Sequence, residues 1–562
     1  MRKRLAAQNG RNFRQHDSIG ALSLELPAKA LSAIAADPDV LGLSIDAPVA
    51  VQNNRSTKKT DTAPKGKGHN KTPTTTTADG YTLPAWFDSQ ALRSTLGVEI
   101  GEWGSDVGIA IIDSGISPSP DLEGRIAAFY DFTKGGIAAT PSDEYGHGTH
   151  IAGLIAGTGK LSEYNYVGIA LGARLIGLKV LDAEGRGYTS DVLSAIDFAV
   201  ANRETLRIDV INLSLGHPIF EPAATDPLVQ AVERAAAAGL IVVVSAGNNG
   251  YNPLTGEIGY AGVTSPGNAP SALTVGSLRT KKTADRSDDE VSKFSSRGPT
   301  WYDGLSKPDV LAPGQGLVSI GNSRSKLYSD PLLRDAVTPY IKLSGTSMAT
   351  GVASGVVALV IDAHRQAHPA APALTPNLVK AILQYSAIPV PDVDTATPSV
   401  LEQGAGGVNA AGAQALARAI DTSMPVGTSW LVHGVLPISV LGGIQSQWAE
   451  HIVWGDRVVN GDTVTWSLDA WSEHIVWGDS DEHIVWGDRF IQGGNVVADS
   501  FSGWSEHIVW GDSVSVVWSD FDEHIVWGDM LLEHIVWGDS DEHIVWGDFG
   551  GFVSILSTVT GY

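Results

Sequence analysis

Along the chain the apolar positions change spacing three times. In the first fifty residues they are sparse. Ala21–Leu26 alternates like a strand, Lys29–Ala36 has the spacing of a short helix, and Val40–Ile45 is apolar and strand-like. Residues 52–80 (QNNRSTKKTDTAPKGKGHNKTPTTTTADG) are polar, Thr- and Lys-rich and nearly free of large apolar groups, which predicts an exposed linker. From 81 to 422 apolar runs alternate with amphipathic stretches. Val107–Asp113, Arg174–Leu181, Asp209–Leu215, Leu240–Ser245 and Ala272–Val275 read as buried parallel strands. His147–Ala156, Thr189–Asn202 and Pro227–Ala238 read as helices, the last closed by Gly239. Strand–helix alternation predicts an α/β fold with a parallel sheet covered on both faces. In such sheets reactive residues gather at the carboxyl ends of the strands.

The third regime is repetitive. The heptamer E-H-I-V-W-G-D occurs seven times, starting at Glu450, Glu473, Glu482, Glu506, Glu523, Glu533 and Glu542. His-Ile-Val-Trp suits a strand and Gly-Asp the turn after it, so 423–562 is expected to be a β-rich repeat region. Three uses fit it: a stack with Trp packed between copies, a partner-binding surface anchored by Trp, or a metal site built from Glu, His and Asp of adjacent copies. No spacing fixes a tetrahedral site.

At about 150 residues per domain, 562 residues suggest three or four domains. The net charge of −24 is unevenly spread: residues 1–80 carry 12 basic and 7 acidic side chains, whereas 430–562 carry 2 and 21. That acidity argues against nucleic acid as a partner. The absence of cysteine removes disulfides, zinc–thiolate sites and a cysteine nucleophile, and leaves the compartment open. No uncharged apolar run approaches the roughly 18 residues of a membrane helix, so no membrane span is expected. Met-Arg-Lys-Arg opens like a signal peptide, but no apolar stretch follows it within thirty residues.

Three motifs carry candidate chemistry. Ile111-Ile112-Asp113-Ser114-Gly115 is an apolar strand ending in a carboxylate; alone, such an acid is usually a cap. His147-Gly148-Thr149-His150 opens a small-residue helix, without the Glu that the zinc motif H-E-x-x-H requires. Gly345-Thr346-Ser347-Met348-Ala349 precedes a long apolar helix, whose positive end favours developing negative charge on Ser347. Together they supply what a serine nucleophile needs: a base to take its proton, and a carboxylate to fix the base's tautomer. Ser245-Ala246-Gly247-Asn248 adds an amide donor for an oxyanion, worth roughly 3 kcal/mol in such sites.

D-S-G, H-G-T-H-x-A-G, A-G-N and G-T-S-M-A, in that order, resemble the subtilisin-like serine peptidases over about residues 81–422. The order Asp–His–Ser is the one subtilisin uses. The resemblance implies a serine endopeptidase working through an acyl-enzyme, with Asp113, His147 and Ser347 as the triad, Asn248 as the oxyanion donor and His150 as structural. It implies that Gly185-Arg186-Gly187 and Ser214-Leu215-Gly216 hold an extended protein or peptide substrate by strand pairing. Phe294–Pro299 and Lys307–Gly314 are also similar to family wording. Two departures stand out. After Ser347 the chain reads Met-Ala-Thr-Gly351-Val352, where the family usually has Met-Ala-(Thr/Ser)-Pro-His. Thr158–Tyr166 does not clearly match the family's calcium loop, with Asp121 as one candidate ligand, so structural calcium stays open and no cofactor is needed for the chemistry.

Residues 21–50 resemble the later half of a subtilisin propeptide, without its opening strand and helix, which implies that 1–51 are a partial propeptide domain and that the given start lies downstream of the true one. A secreted zymogen follows, with its own propeptide as a partner. Two other functions are opposed by the sequence: a catalytically dead scaffold by the presence of all four chemical residues, and an esterase by the lack of G-x-S-x-G around Ser347.

Overall fold

The computed structural model describes residues 1–51, 91–99, 101–391, 399–425, 428–454, 457–460 and 552–559. The linker expected at 52–80 and six of the seven heptamers lie outside the described residues.

The chain is structured from Arg2. A helix over Arg2–Ala7 leads to β1 (Arg11–His16), which pairs antiparallel with β2 (Ala21–Pro27). The helix Leu31–Ala35 and β3 (Val40–Ile45) follow, then β4 (Pro48–Val51). The pattern of apolar positions located β2 and β3 but missed β1. Arg-Asn-Phe-Arg-Gln-His is polar at five of its six positions, and only His16 is fully buried. This N-terminal unit has a small core of Leu5, Leu22, Leu24, Leu26, Ala30 and Ile34.

The large sheet contains β5 (Gly108–Asp113), β6 (Ile126–Asp131), β7 (Ile137–Ala138), β8 (Arg174–Lys179), β10 (Val210–Leu213), β12 (Ile241–Ser245), β13 (Leu273–Arg279), β14 (Glu290–Val291) and β15 (Val310–Pro313). Its order is β14-β13-β12-β10-β5-β8-β6-β7, with β15 also on β13. Only the two terminal pairings, β6 with β7 and β13 with β14, are antiparallel. Every position of β5, β10 and β12 is buried, as expected for strands covered on both faces. Alternate residues serve opposite faces: Ile109 and Ile111 pack on one side, Ala110 and Ile112 on the other.

The first face carries the helices His147–Ala156, Thr346–Ala367, Pro376–Tyr385 and Ala410–Ala419; the second carries Thr189–Ala201 and Pro227–Ala237. Gly239, with φ of 89°, closes the last of these. Thr346–Ala367 is long and apolar enough to cross a membrane, but its most apolar window is wholly buried, and it is the central core helix here.

β9 (Arg186–Tyr188) and β11 (Leu215–Gly216) stand apart from this sheet and are described with the site. Three hairpins complete the body: β16 (Leu317–Ile320) with β17 (Tyr340–Leu343), β18 (Ile438–Leu441) with β19 (Ile444–Gln447), and β20 (His451–Trp454) with β21 (Arg457–Asn460). The first heptamer therefore forms the strand its pattern predicts. Trp430 and Ile452 lie in the main core, so the described residues 428–454 pack onto the same body. The last described strand, β22 (Phe552–Val559), lies in the N-terminal sheet, whose order is β1-β2-β22-β3.

Candidate active site

Strand ends deliver the polar groups. Asp113 is the last residue of β5, Ser214 follows β10, and Ser245 ends β12 three residues before Asn248. His147 and Ser347 come from the first turns of two helices that pack closely. A Cβ at Gly351 would lie 3.2 Å from Ile151 Cγ2, so the residue that departs from the family pattern lets the two helices approach. The helix runs unbroken from Thr346 through that point.

His147 and Asp113 are both fully buried. His147 Nδ1 lies 2.8 Å from each oxygen of the Asp113 carboxylate, and the Ser114 amide donates to Oδ1 at 2.6 Å. Donation from Nδ1 leaves Nε2 as the acceptor of the neutral ring. That Nε2 is buried and has no hydrogen-bond partner among the described residues.

Two groups not singled out from sequence, Asp143 and Asn212, brace the site. Asp143 accepts from Ser114 Oγ at 2.9 Å, Gly146 N at 2.7 Å, Thr149 N at 2.8 Å and Thr149 Oγ1 at 2.7 Å. It thus ties the start of the histidine helix to the D-S-G loop. Burial pushes its carboxyl upward. Gly148 permits the contact: a Cβ there would sit 2.1 Å from the Gly115 carbonyl oxygen. On the serine side, Asn212 donates to Ser214 Oγ at 3.0 Å and accepts from Ser354 Oγ at 3.0 Å, linking β10 to the serine helix. Ser347 Oγ donates to the Ser214 carbonyl at 3.1 Å, and Ser214 Oγ donates to the Ser347 carbonyl at 3.2 Å.

Asn248 is oriented by Thr346, whose amide and hydroxyl donate to Oδ1 at 3.0 and 3.2 Å. The amide nitrogen must then point the other way. Nδ2 is buried and, among the described residues, has no acceptor. Unpaired buried polar atoms are costly, and they collect where a ligand or transition state will supply the partner. An acceptor on His147 and a donor on Asn248, each held by its other end, form such a pair.

His150, also buried, has its pKa lowered to about 3, mainly by burial and then by His147, and stays neutral. Asp121 Oδ1 accepts from Leu161 N at 2.8 Å and Oδ2 from the Tyr340 hydroxyl.

The two segments expected to hold a peptide each contain a strand, β9 and β11, and β4 lies between them. β4 is antiparallel to β11 on one side and to β9 on the other. Val51 faces Leu215, Ala50 faces Gly216 and Arg186, and Val49 faces Gly187. Val51 N donates to the Gly185 carbonyl at 3.4 Å, and Val49 is fully buried.

The subtilase family profile matches residues 104–415, more than half of the chain and all of the elements just described except β4. The chain belongs to the subtilase family. This subtilase is 40% identical to serine protease AprX of Bacillus subtilis (strain 168) over 314 residues, covering 55% of the chain and 66% of that protein. It is 35% identical to subtilisin E of the same strain over 271 residues, covering 47% of the chain and 58% of that relative. The chain thus spans less than two thirds of the length of these relatives. A solved cold adapted subtilisin-like serine proteinase matches with 29% identity and a TM-score of 0.40, covering 54% of this chain and 89% of that one.

Proposed function

We propose that this subtilase is a secreted serine endopeptidase, held latent by its own N-terminal unit. The single observation that carries the reading is β4, an extended segment gripped on both edges beside the serine helix. That is how a peptide substrate is presented by strand addition. The family likeness and the two unpaired buried atoms support the chemistry.

In this reading Ser347 Oγ leaves the Ser214 carbonyl, gives its proton to His147 Nε2 and attacks the scissile carbonyl carbon. Asp113 holds the ring in the required tautomer and stabilises the imidazolium. Asn248 Nδ2 donates to the oxygen as it becomes negative. His147 then protonates the leaving amine. Water, deprotonated by the same nitrogen, opens the ester and frees the acid. Gly185, Arg186, Gly187, Ser214, Leu215 and Gly216 hold the substrate backbone, and the exposed Arg186 favours acidic side chains upstream of the cut. Because Val51 faces Leu215 in an antiparallel pair, the carboxyl end of β4 points towards Ser214, whose carbonyl accepts from Ser347 Oγ. The self-cleavage site therefore falls shortly after Val51, and residues 1–51 then act as a product-like inhibitor.

A fluorophosphonate probe should label Ser347, and the labelled protein should lose casein hydrolysis. Labelling without any casein cleavage, but with turnover of a short-chain ester, would replace the peptidase reading by an esterase. No labelling at all would make the fold a scaffold.

A further inference from the structure

Past the groove strand β11 the chain runs on as His217-Pro218-Ile219-Phe220-Glu221 before the helix Pro227–Ala237 begins. A second loop, 300–305, lies against it. The Tyr302 hydroxyl donates to the Phe220 carbonyl at 3.1 Å, and the Ala223 amide donates to Asp303 Oδ2 at 3.0 Å. Each loop thereby presents an aromatic ring followed directly by a carboxylate: Phe220-Glu221 on one side, Tyr302-Asp303 on the other, with Trp301 ahead of Tyr302. Phe220, Trp301 and Tyr302 are each nearly half exposed even with the N-terminal unit in the cleft.

Both loops are braced. Phe220 stacks on the buried His217 ring, with centroids 5.4 Å apart. Thr300 closes the second loop, accepting from Leu305 N on Oγ1 at 3.0 Å and from Gly304 N on its carbonyl at 3.1 Å. Tyr302 has φ of 64°, where a side chain is held at a backbone cost and glycine is not strained.

The charges are an independent observation. Asp226 caps the helix with Oδ1, which accepts from Leu228 N at 2.9 Å and Val229 N at 3.3 Å. Asp226 is 2% exposed, and its Oδ2 has no hydrogen-bond partner among the described residues. Burial first, and then the charge of Asp226, pushes the Glu221 and Asp303 carboxyls up. Like charges thus meet here, under exposed aromatic faces that attract cations. Among the described residues no three acidic or histidine side chains are placed to hold a metal ion, so the cation that suits the loops is an organic one.

We propose that Phe220-Glu221 and Trp301-Tyr302-Asp303 form an exosite that takes an arginine or lysine head between rings and carboxylates, and that it tethers basic protein substrates beside the strand groove. The second half rests on the peptidase reading above. Direction supports it: Val51 faces Leu215 and Ala50 faces Gly216, so residues upstream of a bound segment head towards this loop. Ser44, seven residues before Val51, already bonds the Glu221 carboxylate. A basic residue of a substrate would stand near that place once the N-terminal unit leaves.

The probe is hexa-arginine bearing a diazirine, added to the full chain with Ser347→Ala so that nothing is cut. Irradiation should label 217–223 and 300–305, mapped by mass spectrometry. Tyr302→Gly removes the ring where glycine fits the backbone, and it should lower labelling of 217–223 at least fivefold while labelling of the acidic tail stays constant. Labels confined to the tail, or loops labelled equally in Tyr302→Gly, overturn the exosite and leave general attraction to an acidic chain. With Ser347 intact, three arginines placed ahead of a peptide of residues 45–58 should lower KM about fivefold with kcat unchanged, and Tyr302→Gly should erase the difference. Equal KM for the two peptides, with the loops labelled, overturns the tethering role. No cleavage of either peptide refutes the peptidase reading and leaves the labelling result standing.

Discussion

The two main sheets of this molecule are built on opposite terms. In the large sheet every residue of β5, β10 and β12 is buried, and each strand is held by side chains from two layers of helices. In the N-terminal sheet β1 and β3 are mostly exposed or half-buried, and pairing with neighbours holds them in place. Burial at roughly 25 cal/mol per Å² makes the first sheet stable whatever occupies the cleft. The second is a small unit of the kind that is marginal alone, and it gains much of its order from what it touches. A rigid body can keep His147 Nε2 and Asn248 Nδ2 unpaired at a cost spread over its large core. A marginal unit can be taken off it.

The sharpest break in this comparison is Ser347→Ala. One hydroxyl is lost at a fully buried position, so the large sheet should keep its thermal transition, while kcat falls on the order of 10⁶-fold. The N-terminal unit should then remain covalently attached, read as an intact Met1 start in the variant and a start beyond Val51 in the wild type. Identical processing of the two would show that another protease removes the unit.

Next in size is Asn248→Ala, which deletes the unpaired donor and leaves the strand-pairing groove untouched. A 10²- to 10³-fold fall in kcat is expected, with little change in KM. A full-rate variant would mean that Nδ2 faces something other than the oxyanion.

The same contrast explains what could be read without coordinates. Parallel strands buried on both faces appear as continuous apolar runs, and their ends carried Asp113, Ser214 and Asn248 to one edge, so the main sheet and the acid–base–nucleophile motifs were visible. Asp143 and Asn212 were not. Their importance lies in hydrogen bonds to Ser114, Thr149 and Ser354, contacts that depend on tertiary approach and leave no periodic trace. β1 was hidden for a different reason: a strand held by its backbone needs no apolar alternation. The pairing of β22 with β2 joins residues more than 500 positions apart, which no local pattern encodes.

Val49→Ala sharpens the comparison from the side of the detachable unit. Val49 is fully buried where β4 meets the core face behind the groove. Losing two methyl groups, at about 0.8 kcal/mol each, should weaken retention of the cleaved fragment about tenfold. The test is the dissociation constant of residues 1–51 measured by inhibition. The large sheet should not register the change, and a lowered thermal transition of the processed enzyme would show that Val49 supports the body itself.

An effect of similar size is a pH dependence confined to the docking of the N-terminal unit. His16 is fully buried, with Nε2 2.9 Å from Ser23 Oγ and Nδ1 3.9 Å from Asp197 on the Thr189–Ala201 helix. Burial, and then the charge of Arg14, lowers its pKa from 6.5 to about 4, with Asp17 opposing. A histidine depressed in the docked state must lose a proton to dock, so its contribution is flat above pH 6.5, and docking weakens as pH falls from there towards 4. At pH 5.5 the penalty is about 1.4 kcal/mol, or tenfold in affinity. Asp191, paired with Arg14 across the same interface, has its carboxyl pushed up by burial and acts in the opposite sense, which places the clean window above carboxylate titration. Dissociation of fragment 1–51 should therefore quicken about tenfold between pH 7 and 5.5, and His16→Gln should remove most of that slope while keeping a polar contact for Ser23. A wild-type fragment held equally at both pH values would place His16 in the same environment docked and free, and would remove acid as a means of separating the two sheets.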